Sequence, residues 1–207
     1  CQLLNGERAS FTLTGKGPLM PNADGAGYYR FELPRGDWDA LIKQADRLPG
    51  GEAQALADSL QASFRAGRAS TRQLFDLARK LMRNPSSDAT EAAGEMLDTL
   101  TAGRLVDERS VPGYRAFLGR LYRPVLAKLG FDPRAGLYAG EDSGIAQRRS
   151  LAAARLVSFG RDRKLRRRLA DAASSYFAGD RAALDPRWFD LAFDTYLENG
   201  ALPAAKA

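Results

Sequence analysis

The sequence predicts a mostly α-helical protein, an irregular HEAT- or armadillo-like stack of about eight antiparallel helices that is preceded by a few β-strands. Apolar residues recur at helical spacing in successive segments from residue 37 onward. Glycines follow these segments at positions where helices commonly end in left-handed backbone. Before residue 34, apolar and polar side chains alternate, as they do in strands. No motif repeats at a fixed period, so the predicted stack is irregular.

The predicted strands lie at the start of the chain. One is expected around Phe11 and Leu13 and another at 28–33, after a loop at 22–27 that is rich in Asn, Asp and Gly. A sheet of so few short strands is marginal in water by itself. We therefore expect it to pack on the helices or on further structure. Because the chain also starts at Cys1 rather than Met, we interpret it as part of a larger protein.

Each predicted helix has start and stop signals of its own. Asp37 is expected to cap the first helix, which begins at Trp38, and Pro124 is expected to kink or break the fifth. The last helix is apolar nearly all round, so we expect its neighbours to bury it. The predicted ranges are 37–48, 52–66, 71–83, 88–102, 111–129, 143–159, 162–178 and 186–199. The glycines expected to end helices are Gly67, Gly103, Gly130, Gly160, Gly179 and Gly200.

The composition excludes much of the chemistry of hydrolases for this chain acting alone. Its 207 residues include no histidine and one cysteine. A HExxH zinc site, a histidine-activated nucleophile and an internal disulfide are therefore all impossible. We predict no catalytic residue and no metal site in the chain. No apolar run approaches the roughly 20 residues of a membrane span, so no membrane span is predicted.

Two sets of charged residues have both a functional and a structural interpretation. A guanidinium group of Arg148 or Arg149 could point into a cavity and hold a carboxylate. A surface ion pair with Glu141 or Asp142 is the favoured alternative. Asp58 lies beside the apolar stripe of the second helix, where a hydrogen bond to a neighbouring helix is expected rather than catalysis.

The net charge of +6 makes nucleic-acid binding a function to weigh. A solvated helix face is the favoured interpretation of the main basic cluster, because no aromatic residues lie between the cations for bases to stack on. Nucleic acid is therefore not a predicted partner. Asp190 and Asp194 are one helical turn apart and are likewise interpreted as a solvated face rather than a metal site. The basic cluster consists of Arg161, Arg163, Lys164, Arg166, Arg167 and Arg168.

One stretch resembles a junction between two domains. Asn22, followed after four residues by Gly27-Tyr28-Tyr29-Arg30-Phe31, is similar to the end of the β-sandwich domain in the aminopeptidase N family of zinc metallopeptidases, just before the C-terminal helical domain. The resemblance covers most of residues 18–200. Looser similarities occur at Trp38-(x2)-Leu41, at Leu56-Ala57-Asp58 with Arg65-Ala66-Gly67, at Gln147-Arg148-Arg149-Ser150, and at 170–186.

This resemblance implies a domain organisation and a role. Residues 1–34 would be strands from the end of a β-sandwich domain, residues 35–200 the C-terminal helical superhelix domain, and residues 201–207 a tail. The helical domain would close over the catalytic domain to form a chamber that limits access of peptides. The implied partners are the catalytic and β-sandwich domains of the same polypeptide and the peptide substrate. Zinc would be bound in the parent enzyme and not in this chain.

The resemblance also assigns residues. Arg148 and Arg149 are the possible contacts to the substrate chamber. The residues by themselves leave two other functions open: a stand-alone helical-repeat scaffold that binds a protein or peptide on its concave face, and a basic nucleic-acid-binding module. The junction residues are Asn22, Gly27, Tyr28, Tyr29 and Arg30.

Overall fold

The computed structural model describes residues 17–201 together with residues 7, 10, 12, 14 and 15. Eight α-helices occur among them, as predicted. The helix α6 continues as a π-helical turn, Arg155–Phe159, and α8 as another, Leu197–Ala201. The helices are α1 Arg35–Ile42, α2 Gly50–Arg65, α3 Thr71–Leu81, α4 Ser87–Ala102, α5 Val111–Leu129, α6 Ser143–Ala154, α7 Arg163–Phe177 and α8 Phe189–Tyr196.

Helices pack on their neighbours in the chain and also on the helix after next. α2 packs on α4, α4 packs on α6, and α3 contacts both α2 and α4. α5 packs on α6, α7 packs on α8, and the π-helical turn after α6 contacts both α5 and α7. The contact between α4 and α6 therefore joins the first four helices to the last four. The HEAT- or armadillo-like form of the stack stays a prediction.

The apolar stripes seen in the sequence form one core. In α2, Ala53, Leu56 and Leu60 are fully buried, at the spacing that the sequence predicts. Because apolar burial is the main favourable term in folding, these stripes fix how the helices pack. The largest fully buried side chains are Trp38, Trp188, Tyr122, Leu41, Leu56, Leu60, Leu74, Leu77, Leu81, Met96, Leu97 and Leu118.

No β-strand occurs among the described residues, and the strand predicted at 28–33 is absent. A strand needs a hydrogen-bonded partner strand. This segment lies against α2 instead, where the Phe31 amide donates to Ser59 Oγ at 3.3 Å. Phe11 and Leu13 lie outside the described residues, as do residues 202–207 of the predicted tail, and the proposed domain boundaries stay predictions.

Two predicted details of the helices are wrong. The first helix begins at Arg35, not Trp38, because the carbonyl of Pro34 already accepts hydrogen bonds from the amides of Asp37 and Trp38, both at 3.0 Å. Asp37 therefore lies in the first turn, where its negative charge interacts favourably with the helix dipole. α5 continues through Pro124 without the predicted break, since buried residues on both sides of the proline hold it against the core, and a kink there stays a prediction.

Helices end in left-handed backbone at three of the predicted glycines. Gly67, Gly130 and Gly179 have φ values of 72°, 75° and 109°. After α4 and after the π-helical turn that follows α6, the glycine keeps a negative φ and the next residue takes the left-handed conformation. These residues are Arg104, with φ 53°, and Arg161, with φ 51°. At these two ends the predicted glycine therefore lies one residue before the left-handed position.

Candidate functional site

The junction loop is closed by the side chain at its start, which makes two hydrogen bonds to the backbone of the glycine at its end. Asn22 is buried, and its Nδ2 donates to the carbonyl of Gly27 at 2.8 Å. The amide of Gly27 donates back to Asn22 Oδ1 at 2.8 Å. A Cβ at Gly27 would lie only 2.1 Å from the ring of Tyr29, whose hydroxyl donates to the carbonyl of Pro21 at 2.6 Å. Asn22, Gly27 and Tyr29 thus form one structural unit.

The next residues fasten the junction to α2 and α1. Arg30 donates two hydrogen bonds to Asp58 in α2, at 2.8 and 3.0 Å. The hydrogen bond to Asp58 raises the pKa of Arg30 above its ordinary value. Phe31 stacks on Trp38 of α1 with ring centroids 5.5 Å apart. Asp58 was expected to hydrogen-bond to a neighbouring helix, but in the structure its partner is Arg30 of the junction.

The junction also touches α2 backbone to backbone. Gly25 has φ 67°, and a Cβ built on it would lie 2.5 Å from the carbonyl oxygen of Gly51. A Cβ on Gly51 would lie 2.6 Å from the carbonyl oxygen of Asp24. Both positions therefore need glycine for close approach. Sequence reasoning did not single out Gly51; a glycine in the first turn of a helix was the signal for it.

Tyr28 differs from the other junction residues. Its ring is fully exposed beside a pocket of about 660 Å³ between the junction and the start of α2. Asn22, Gly27, Tyr29 and Arg30 all make contacts that hold the junction in place. Tyr29 and Arg30 are also exposed, but Tyr28 is the most exposed of the junction residues.

Arg149 joins three parts of the fold rather than facing solvent. Only 3 % of its side chain is exposed, and its guanidinium donates to the carbonyls of Leu129 at 2.8 Å and Gly130 at 3.0 Å, at the end of α5. It pairs with Glu141 and lies 3.7 Å above the ring of Tyr138. The predicted ion pair with Glu141 is present, but its arginine is buried, while the Glu141 side chain remains 15 % exposed.

Arg148 lies beside this cluster with a different set of contacts. It is partly exposed and donates to the carbonyl of Pro85 at 2.9 Å, while its Nε is buried and without a partner among the described residues. Burial lowers the pKa of Arg148. Of the two arginines, Arg148 is the one with accessible surface. As chamber contacts, both stay proposals.

The ion pair of Glu141 predicts a pH dependence of stability. The hydrogen bonds from Arg149 lower the pKa of Glu141 below its ordinary value of 4.5. A carboxylate with a lowered pKa in the folded state stabilises the protein above its unfolded pKa, and this contribution is lost as the pH falls through the folded value. We expect the stability difference between the native chain and Glu141→Gln to be largest near neutral pH and to shrink below a pH of 4.5. Urea unfolding of both proteins at a series of pH values measures it, and a constant difference would contradict the prediction.

A groove of about 770 Å³ lies between the C-terminal half of α5, the π-helical turn and the start of α7. Its floor is apolar and its rim is basic. Asp162 caps α7 by accepting from the amides of Lys164 and Leu165, both at 3.1 Å, and it pairs with Arg123 at 2.8 Å. Burial raises the pKa of Asp162, but these hydrogen bonds outweigh it and keep the pKa below its usual range. The groove is lined by Arg123, Leu126, Ala127, Gly130, Phe131, Leu156, Arg161, Asp162, Arg163, Lys164, Leu165 and Arg168.

The basic cluster on α7 is only partly solvated. Arg161 and Arg166 both pair with Glu198. Arg163 and Lys164 are exposed and form no ion pair among the described residues. The predicted solvated face is therefore one part of the cluster, and the other part holds the chain after α8.

A polar cluster behind the groove fixes its wall. Arg155 begins the π-helical turn and pairs with Asp98 of α4. A Cβ at Gly94 would lie 3.0 Å from the Arg155 guanidinium, so α4 carries glycine where that side chain crosses it. Tyr114 of α5 donates to the carbonyl of Leu97 at 3.1 Å, and burial raises its pKa to about 12. Sequence analysis did not identify these residues, since their partners lie far away in the chain.

Comparison with protein families gives one match over nearly the whole chain. The sequence model of the family described as ERAP1-like C-terminal domain matches residues 18–206. The chain belongs to this family. The match agrees with the resemblance to the C-terminal region of an aminopeptidase N-like metallopeptidase, and such domains are non-catalytic. No curated protein and no solved structure matches the chain.

The ERAP1-like C-terminal domain shows neither a metal cluster nor a membrane helix in its described part. Within residues 17–201 and the few described residues before them, no three His, Cys, Asp or Glu side chains are grouped to hold a metal ion. Asp190 and Asp194 are both exposed on α8. None of the described helices is both long and apolar enough to cross a bilayer.

The C-terminal end of the domain carries an aromatic cluster between α7 and α8. Phe177 is 56 % exposed and stacks on Phe193, with ring centroids 5.0 Å apart. Leu197 is also exposed, so the prediction that neighbours fully bury the last helix is wrong. Its apolar residues outnumber the positions that α7 can cover. The rings of the cluster are Tyr176, Phe177, Phe189, Phe193 and Tyr196.

Proposed function

We propose that this ERAP1-like C-terminal domain closes over the catalytic domain of a zinc aminopeptidase and forms one wall of the chamber in which peptides are cleaved. The observation that carries the proposal is the family match over residues 18–206. The catalytic and β-sandwich domains of the same polypeptide are then its partners, peptides are the substrate, and zinc belongs to the catalytic domain. The chain itself supplies surface and shape rather than chemistry.

The junction supports this role because its contacts fasten it to α2. Asn22 closes the loop, Arg30 is bound to Asp58, and Gly25 touches Gly51, so the segment and α2 form one rigid unit. A domain joined before this segment cannot turn independently of α2 at residues 22–31. Opening and closing would then move this segment and the helices as a body.

Exposed apolar groups offer contact points for the partner domains. Tyr28 is fully exposed in the junction, and Phe177, the last residue of α7, is also exposed. Large exposed aromatic side chains commonly mark protein interfaces. Arg148 is the accessible member of the arginine pair, and we assign it to the chamber wall.

The proposal predicts that this domain affects the selection of peptides by length but does not itself hydrolyse them. The purified chain with added zinc is expected to leave aminoacyl anilides and peptides intact. In the full-length enzyme, Tyr28→Asp is expected to weaken closure and therefore to reduce the preference for one peptide length over another, measured as the ratio of hydrolysis rates for a dipeptide and a decapeptide. Leu105→Asp, at an exposed apolar residue away from the junction, is the matched control.

Two outcomes would contradict the closing role. One is hydrolysis by the isolated chain at an enzyme-like rate. The other is a full-length enzyme whose length preference is unchanged both by Tyr28→Asp and by deletion of residues 35–201, although each variant still hydrolyses the aminoacyl anilide.

A further inference from the structure

We propose that the groove between α5 and α7 is a binding site for short acidic peptide segments that also carry apolar side chains. This inference goes beyond the closing role and does not depend on it. The groove has the volume of a ligand site, about 770 Å³, within the range of roughly 300–1,000 Å³ that is typical of such sites.

The charge on the rim is unbalanced. Five cations and one carboxylate, Asp162, line the groove. Arg161 pairs with Glu198 and Arg168 pairs with Asp132, so the unpaired charge among the described residues is that of Arg163 and Lys164. Asp162 is already occupied by the amides of α7 and by Arg123, so it neutralises little of the remaining charge. An occupant with carboxylates complements this rim, and Arg163 and Lys164 are exposed to receive it.

The apolar floor of the groove favours a ligand that carries an apolar group between its carboxylates. Its apolar members come from three separate elements, with Leu126 in α5, Leu156 in the π-helical turn and Leu165 in α7. Leu126 and Leu156 are already buried, so the apolar surface that water still reaches is that of Ala127, Phe131 and Leu165, and covering it with an apolar side chain is favourable. A purely ionic ligand leaves that surface wet, so an acidic segment with leucine or phenylalanine fits better than a simple anion.

Peptide fits the groove better than nucleic acid. Phe131 is the aromatic residue that lines it, and its ring already packs edge-on against Trp188 with centroids 4.9 Å apart. Arg168 lies over the same ring at 5.6 Å. Because binding of single-stranded nucleic acid relies on aromatic faces that are free to stack on bases, this site lacks the main contact.

The walls of the groove are held before any ligand binds. Arg155 fixes the π-helical turn to Asp98 of α4, and Asp162 holds both the first turn of α7 and Arg123 of α5. A preformed site loses less conformational entropy on binding than a mobile one. The groove is therefore suited to a flexible peptide, because only the peptide loses conformational entropy on binding.

Fluorescence anisotropy with a defined probe tests the site. The probe is the labelled peptide Glu-Leu-Glu-Phe-Glu with an acetylated N-terminus and an amidated C-terminus, so that only side chains carry charge. Its counterpart replaces each Glu by Gln. We expect the Glu peptide to bind on the order of tenfold tighter or more at moderate salt, since several charge pairs are gained. Equal binding of the two peptides would overturn the proposal.

Charge-reversal variants locate the binding. Arg163→Glu with Lys164→Glu is expected to weaken binding of the Glu peptide roughly tenfold or more. Glutamate at the start of α7 also suits the helix dipole, so the variant should fold. Arg115→Glu with Arg120→Glu, on exposed positions of α5 outside the groove, changes the net charge equally and should leave affinity nearly unchanged. An equal loss in both pairs would show attraction to overall charge and no site.

A filling variant tests the floor. Ala127 is exposed and lines the groove, whereas Ala116 is exposed on the same helix outside it. Ala127→Trp is expected to abolish binding of the Glu peptide and Ala116→Trp to preserve it. Unchanged binding to Ala127→Trp would overturn the assignment. The assignment would also be overturned if a labelled single-stranded oligonucleotide bound more tightly than the peptide and its binding were lost in the same groove variants. That result would identify a nucleic-acid site.

Discussion

Replacing Arg149 by methionine is expected to destabilise the fold by about 2–4 kcal/mol, because it removes a buried donor that several acceptors share and leaves the partly exposed Glu141 without its partner. Glu141 would lose the ion pair, and the carbonyls of Leu129 and Gly130 would lose their donor at the end of α5. Each buried acceptor left without a hydrogen bond adds to the cost. Tyr138 would lose the guanidinium that covers its ring.

Equilibrium unfolding in urea measures the effect of Arg149→Met, with Arg148→Met as the matched control. Arg148 makes a hydrogen bond to Pro85 and is partly exposed, so its loss should cost about 1 kcal/mol. The double variant Arg149→Met with Glu141→Gln should be more stable than Arg149→Met alone, since no unpaired charge remains. Equal losses in the two single variants would contradict a structural role for Arg149.

Arg149→Lys gives a second measure of the same site. Lysine keeps the charge but cannot donate to Glu141 and to two carbonyls in the fixed planar arrangement of a guanidinium. We therefore expect it to recover only part of the lost stability. Full recovery would mean that charge alone, and not the geometry of the guanidinium, holds α5, the following loop and α6 together.

The helices were predictable because their signals are local. Ser70 forms a capping box with Gln73, and Asp162 caps α7, both within a few residues of the helix they start. The stripe of Leu56 and Leu60 likewise lies within one element. The strand at 28–33 was wrong because alternation shows only that two faces differ, whereas a strand also needs a partner.

The candidate sites could not be predicted in full, because they are formed by contacts between residues that lie far apart in the sequence. The spacing of Glu141 and Arg149 suggested an ion pair, but the burial of Arg149 follows from the end of α5, which the sequence does not place beside it. The cations of α7 were visible as a run, while the apolar floor below them comes from Leu126 and Leu156 in other elements. A run of charge therefore predicted a basic face and could not predict a groove.

Replacing Gly51 by alanine is expected to destabilise the fold by about 1–3 kcal/mol, as overpacking does, although alanine normally favours a helix. The new Cβ would lie 2.6 Å from the carbonyl oxygen of Asp24, so the junction must move away from α2. That movement would strain the pair of Arg30 and Asp58, which holds the same segment. Thermal and urea unfolding measure the loss.

Gly113→Ala is the control that separates packing from helix propensity. Gly113 lies in the first turn of α5 and has nothing within 4 Å of the added Cβ, so alanine there should stabilise by up to about 1 kcal/mol. Opposite signs for the two substitutions would show that the junction is docked on α2 in solution. If Gly51→Ala were also stabilising, the backbone contact would be absent, and the rigid coupling that the closing role requires would lose its physical basis.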